Sequence, residues 1–319
     1  MKKLVLLFLS FILIFSFTSC SDNTSEISSD DGRPVVVTTV FSVYDWTRNV
    51  AGDRCNVIYL DKSGADMHSF EPVASDIALL AKADVFIHIG GVSDKWVDAA
   101  IESAKNDSLR VLSLMTVTGV LEEETVEGMQ IHEHEDINTD EYDEHIWLSL
   151  KKAQSSVSAI CDILCETDSA NAEVYKANAD TYNAELNELD GKYETLMSDA
   201  KRNTILVADR FPFRYMAEDY GIEYFAAFPG CSAESEASFE TITFLIEKTK
   251  ELSLPCILTI EKSDGKLADT ISRETGVKVL TLGSCQSVTQ AEADGGLTYI
   301  SVMENNLTTL RESPKEISP

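Results

Sequence analysis

Apolar residues in this chain fall into short uninterrupted runs, separated by longer stretches with helical spacing. Residues 34–40, 56–60, 85–89 and 110–114 read as strands, with helical patterns between them at 42–51, 73–81 and 95–105. A second series repeats the scheme, with strands at 204–208, 223–228, 256–260 and 278–282 and helices at 213–220, 238–252, 266–275 and 299–311. Strands that are continuously apolar are buried on both faces, and strand–helix–strand repetition makes them parallel. The pattern therefore predicts an α/β protein of two lobes, each a mainly parallel four-stranded sheet flanked by helices.

Residues 150–201 stand between the two series. They are rich in Ala, Glu, Leu, Lys and Tyr, lack Pro, and hold a single Gly at Gly191. Tyr175, Ala179, Tyr182, Leu186, Leu189, Tyr193 and Leu196 keep a three-or-four spacing along one face, and a polar cluster at 166–172 splits the helix in two. A coiled-coil oligomer competes with this reading. The placement between lobes favours a long rigid spine that permits only small relative motion. The boundaries that follow are 34–149 for the N-terminal lobe, 150–201 for the linking helices and 202–319 for the C-terminal lobe.

The chain begins differently. Lys2 and Lys3 precede an uncharged apolar run at 4–17, and Thr18-Ser19-Cys20 closes it. The run is short for a membrane span and fits a signal peptide at 1–19. A cysteine placed there reads as a bacterial lipoprotein cleavage site, with Cys20 the lipid-modified residue that anchors the chain to the membrane from outside. An ordinary signal with an incidental Cys is the competing reading. Residues 20–33 are polar and acidic, as a flexible tether should be.

Charge narrows the partners. The 26 basic and 54 acidic residues leave a net −28, a field that repels nucleic acid and anionic headgroups and favours cations. Solubility of an exported protein accounts for much of it. Beyond Cys20, the cysteines Cys55, Cys161, Cys165, Cys231, Cys256 and Cys285 are even in number. Cys161 and Cys165 stand one helical turn apart and could pair or be buried. Cys231 and Cys285 are expected in loops at the same end of one sheet, bridged or not.

Two histidines carry the candidate chemistry. His68 lies in Asp66-Met67-His68-Ser69-Phe70-Glu71-Pro72 and His145 in Asp143-Glu144-His145-Ile146-Trp147-Leu148. Each follows an acidic residue and sits beside an aromatic one. Such imidazoles suit Zn²⁺, and Mn²⁺ or Fe²⁺ when carboxylates complete the shell. Residues 122–144 add a dense acidic loop with His132 and His134, a metal-collecting tract that runs into His145. His88 reads as a strand histidine satisfied in the core. In open parallel sheets ligands bind beyond the carboxyl ends of the strands. His68, Asp209, Arg210, Glu261 and Gly283 all fall at such ends, so they should face one interlobe cleft. No motif supplies both an open metal position and a general base, so the chain reads as a binding protein rather than an enzyme.

These features together resemble the metal-specific solute-binding lipoproteins of zinc/manganese ABC importers. The resemblance rests on the Cys20 lipobox, the segment Val37 to Asp45, the MHSFEP segment, Asp76-Ile77, Ala83-Asp84, Gly90-Gly91 with Trp96, the acidic His loop and EHIWLSL. The spine, Tyr215 with Asp219-Tyr220-Gly221, Glu274-Thr275-Gly276, and Tyr299 with Asn306-Leu307 extend it over nearly the whole chain. It implies a monomeric receptor that hands a divalent cation, zinc first, to a membrane permease, with two ligands from each lobe. His68 and His145 occupy the N-lobe ligand positions. Arg210 and Gly283 occupy the C-lobe ones, and neither offers a donor. Three accounts stay open. Asp209 could ligate while Arg210 pairs with Glu261, Glu234 or Glu236. His132 or His134 could close the shell. Or the site is degenerate, which fits a surface adhesin on the same scaffold with a structural or absent metal.

Overall fold

The computed structural model describes residues 31–130, 142–200, 202–232, 236–286 and 288–313. The signal segment, Cys20, His132, His134 and Glu234 lie outside them. β1 (Val35–Thr38), β2 (Asn56–Tyr59), β3 (Val85–His88) and β4 (Arg110–Ser113) form one parallel sheet in the order β2-β1-β3-β4. β5 (Thr204–Phe211), β6 (Glu223–Pro229), β7 (Cys256–Ile260) and β8 (Lys278–Leu282) repeat it as β6-β5-β7-β8. Central β1 and β3 are buried throughout, while the edge strands β2 and β4 are partly exposed. In both sheets the strand order reverses beside the first strand, which places a ligand crevice at its carboxyl end.

The first lobe carries α1 (Phe41–Ala51), α2 (Ala74–Leu80), α3 (Val97–Ala104) and the short α4 (Met115–Thr118). α5 (Leu150–Thr167) and α6 (Ala172–Asp199) form the spine, broken by a 3-10 turn at Ser169–Asn171 where the polar cluster falls. The second lobe carries α7 (Arg214–Tyr220), α8 (Phe239–Glu251), α9 (Lys266–Thr275), the short α10 (Gln290–Asp294) and α11 (Tyr299–Glu312). No helix among the described residues is long and apolar enough to cross a membrane.

α6 has 28 residues and so runs about 42 Å at 1.5 Å per residue. Its first half docks on the N-terminal lobe, where Asn178 Nδ2 donates to Val50 O (3.0 Å) and Tyr182 OH to Asp45 Oδ2 (3.1 Å). Its second half docks on the C-terminal lobe, where Tyr193 OH donates to Met303 O (2.6 Å) and Asp190 Oδ1 accepts from Tyr220 OH (2.7 Å). The lobes are also joined directly. Tyr299 of α11 packs edge-on against Trp46 at 5.1 Å, its N–H donates to Asp45 Oδ2, and its OH donates to Trp147 O. Trp147 Nε1 in turn donates to Ser284 O (2.7 Å), and Tyr59 OH to Val288 O (3.0 Å). These bonds are buried, and the apolar cluster around them runs through both lobes. Separating the lobes would expose that core and unpair these groups.

One boundary departs from the sequence pattern. The first C-lobe strand was expected to end at Ala208, yet β5 continues through Asp209 and Arg210 to Phe211. A register shift between Val207 and Arg210 lets Arg210 pair with Phe228 and Phe211 with Pro229. Phe211 then stacks on Tyr224 with ring centroids 3.6 Å apart. The bulge re-aims the polar pair while the strand goes on.

Candidate metal centre

His68 stands on a single 3-10 turn, Met67–Ser69, anchored by buried Met67 and capped by Asp66, whose Oδ1 accepts from His68 N at 3.1 Å. Its Nδ1 lies 2.8 Å from Ser93 Oγ and 3.0 Å from Glu144 Oε1. Ser93 Oγ itself donates to Glu144 Oε1 at 2.5 Å. An ionised carboxylate only accepts, so Nδ1 carries the ring proton and Nε2 presents its lone pair. That Nε2 lies 3.3 Å from Gln286 Nε2 of the second lobe.

His145 opens the next 3-10 turn, Ile146–Leu148, and is fully buried. Asp143 Oδ1 accepts from its backbone N–H at 2.7 Å and from Nδ1 at 3.0 Å. Its Nε2 is buried with no hydrogen-bond partner. Trp147 holds the ring edge-on at 5.2 Å, and the His68 and His145 centroids are 5.4 Å apart. Both imidazoles thus carry a carboxylate on Nδ1, which fixes the tautomer and turns Nε2 away from it, unpartnered in His145 and met in His68 by the Gln286 amide that a cation would displace. Such carboxylates are the support metal-binding histidines receive from their outer shell.

Two further groups close on this pair. Glu123 Oε1 accepts from Gly230 N at 3.1 Å, while its Oε2 is buried without a partner. Cys231 Sγ lies 3.8 Å from Glu144 Oε1, and Cys231 follows Gly230, whose N–H donates to Glu123. His68, Glu144 and Cys231 offer ligand atoms within 4.8 Å of one another. Gly230 makes the approach possible, because a Cβ there would meet Phe211 O at 2.9 Å and His145 Cε1 at 3.0 Å.

The electrostatics show excess negative charge. Burial, then the neighbouring Asp143, pushes the Glu123 carboxyl up to about 7. Burial, then Glu123, Glu144 and Asp143, pushes the Cys231 thiol well up. Burial works against a charged Glu144, but the hydrogen bond from His68 and the two imidazoles outweigh it and hold that carboxyl below its ordinary value. Burial likewise opposes charge on His145, yet Asp143, with Glu144 and Glu123 behind it, raises the imidazole above its usual value. The cluster holds protons that a divalent cation would replace.

The remaining described ligand candidates, Asp209 and Glu261, line the adjoining cleft and have partners of their own. Asp209 Oδ2 accepts from Ser263 Oγ and from Thr259 Oγ1 (3.3 Å), and its Oδ1 accepts from Arg210 N (2.8 Å). Glu261 is held by Ser284, through N at 2.6 Å and Oγ at 2.7 Å. The expected pairing of Arg210 needs correction. Its guanidinium meets Asp66 Oδ2 of the other lobe at 2.5 Å, not Glu261, because Ser284 already engages both Glu261 oxygens. Gly283 donates to Asn306 Oδ1 at 2.7 Å, and a Cβ there would stand 2.5 Å from Val302 Cγ1, so α11 packs on its bare backbone. A cleft of about 400 Å³ opens here, lined among others by Asp66, Asp209, Arg210, Glu261, Lys262 and Gln286. His88 pairs with Asp94 at 2.9 Å, as expected of a satisfied core histidine. All six described cysteines are free thiols. Cys161 and Cys165 form no disulfide, their sulfurs lying 3.9 Å apart in a weak hydrogen bond, Cys285 is buried, and Cys231 faces Glu144 rather than forming a bridge.

Glu123, Ser93 and Gln286 escaped the sequence reading. Glu123 is one carboxylate in a crowded acidic tract, and the other two are ordinary polar residues until the fold sets them beside His68 and His145. Cys231 carried a signal in its position after a strand, but that signal also fits a disulfide.

Residues 36–313 match the family described as ZnuA, zinc-uptake complex component A, periplasmic. The zinc-binding protein AdcA of Streptococcus pyogenes serotype M3 is 32% identical over 332 residues, and the match covers all of this chain but only 64% of that protein. The high-affinity zinc uptake system protein ZnuA of Bacillus subtilis is 29% identical over 297 residues, covering 92% of each. The Zn(II)-bound ZnuA-like domain of Streptococcus pneumoniae AdcA superposes with a TM-score of 0.74 at 30% identity, covering 89% of this chain and all of that domain.

Proposed function

The chain belongs to the zinc-uptake complex component A family, and from that premise we propose that it is the extracytoplasmic solute-binding component of an ABC importer. It captures Zn²⁺ between its lobes and passes it to a membrane permease, held at the membrane by lipidated Cys20 and acting as a monomer. The observation that carries this reading is the pair of imidazoles 5.4 Å apart, each with a carboxylate on Nδ1, with Nε2 unpartnered in His145 and held only by a neutral amide in His68. Imidazole nitrogens favour Zn²⁺ over Mn²⁺ in the ordinary affinity order, and zinc accepts the four-coordinate shells that two imidazoles begin. The protein is a carrier, with the metal as cargo.

The two departures that suggested an adhesin have local explanations. Arg210 is paired across the cleft with Asp66, and Gly283 is a packing glycine under α11. Neither requires the metal to be absent. Zinc titration by calorimetry in competition with a chelator tests the reading: His68→Ala and His145→Ala each abolish tight binding. Unchanged affinity in both variants would sink it.

A further inference from the structure

We propose that the C-terminal lobe binds the cation through the Cys231 thiolate, with the Glu123 carboxylate as fourth ligand beside His68 Nε2 and His145 Nε2. The proposal rests on the metal-carrier reading and deepens it. Among the described C-lobe residues at the cleft, Asp209 and Glu261 are held by serines, Arg210 is a cation, Gly283 has no side chain and Gln286 offers only a neutral amide. Cys231 alone brings an ionisable donor up to the histidines, within 4.8 Å of His68 and Glu144. Unpartnered buried atoms point to a ligand in this cluster: His145 Nε2, Glu123 Oε2 and Asp143 Oδ2, with the other Glu123 oxygen bonded to the backbone of Gly230, next to Cys231. Glu144 stays outside the shell, because Ser93 and His68 engage both its oxygens, and Asp143 acts from behind His145, its Oδ1 orienting that imidazole through Nδ1.

The charges balance. Two neutral imidazoles, one thiolate and one carboxylate match a dication. Binding forms the metal–sulfur and metal–carboxylate bonds and sends to solvent the thiol proton and any proton held on Glu123. A thiolate is a soft donor that suits Zn²⁺ and Cd²⁺ and disfavours Mn²⁺. Cys231 is therefore the specificity-determining residue of this site.

Cadmium ion added to the whole purified chain reads the sulfur directly. The wild type should develop a thiolate-to-metal charge-transfer band that saturates at one equivalent. The band should vanish in Cys231→Ser and persist in Cys256→Ser and Cys285→Ser. Zinc affinity of Cys231→Ser should fall by at least ~10–100-fold, the loss that even an outer-shell partner causes, and its preference for zinc over manganese should narrow. X-ray absorption of the wild-type zinc complex needs no substitution and should show one sulfur at about 2.3 Å. Cadmium binding that depends on His68 and His145 but gives no band, or a band that survives in Cys231→Ser, removes the thiolate from the shell and leaves the carrier reading standing. Binding indifferent to both histidines overturns both.

Discussion

Replacing Glu123 with Gln tests the charge balance of the site through folding stability. In the folded chain burial and Asp143 hold this carboxyl's proton up to about 7, against 4.5 for the free group. Its folded value is raised, so the stability it contributes is fully present below 4.5 and is lost as pH rises through about 7. The gap corresponds to at most about 3 kcal/mol at 1.36 kcal/mol per pK unit. Gln cannot titrate, yet it still accepts from Gly230 N as Glu123 Oε1 does. The assay is urea unfolding of the metal-free protein at pH 4.5, 5.5 and 6.5. Other carboxyls contribute to each profile, so the quantity to read is the wild-type profile minus the Gln profile. Wild type should lose roughly 2–3 kcal/mol more than the variant over this interval. Saturating zinc should reverse the order above pH 7, because the cation takes the place of the proton. Parallel metal-free profiles would refute the argument, since they would mean Glu123 is ionised and solvated in the folded state.

Two other substitutions separate support of the site from support of the fold. Asp143→Ala removes the acceptor for both His145 N and Nδ1, so zinc affinity should drop ~10–100-fold in calorimetry. The same variant leaves two buried donors unpaired, and its melting curve should show a cost of about 1–3 kcal/mol for each. Gly283→Ala should do the reverse. Its new methyl group collides with Val302 Cγ1, costing about 1–3 kcal/mol in denaturant, while zinc titrates as in the wild type.

How much of this was legible in the sequence depended on how each feature writes itself there. Parallel strands buried on both faces leave continuous apolar runs, so all eight strands and the broken spine were readable to within a residue or two at most ends. β5 was the exception, because a bulge carries polar Asp209 and Arg210 inside a strand whose apolar run stops at Ala208. α4 and α10, at four and five residues, are too short for a periodic signal. His68 and His145 stood out because the chain holds only 5 histidines. Glu123 did not, because it is one of 54 acidic residues and only the crossing of the acidic segment over Gly230 distinguishes it. Cys231 needed the sheet order: β6 must lie beside β5 before its carboxyl end can reach the first lobe's histidines.

Arg210 shows why a residue type at a ligand position does not decide the site. Alone beside the cleft, a guanidinium would repel a dication by several kcal/mol at an effective dielectric near 20. Its partner is Asp66, two residues before His68 on the same turn, at 2.5 Å and with both side chains largely shielded. Burial alone would lift the Asp66 carboxyl, yet Arg210 and then His68 hold it below its ordinary value, so the pair stays charged on both sides. A pair so close presents a dipole, and its field falls off faster with distance than that of a lone cation. The same carboxylate, through Oδ1, caps the turn that carries His68. The arginine therefore withdraws little attraction from the site, and it ties the turn bearing one imidazole to the second lobe.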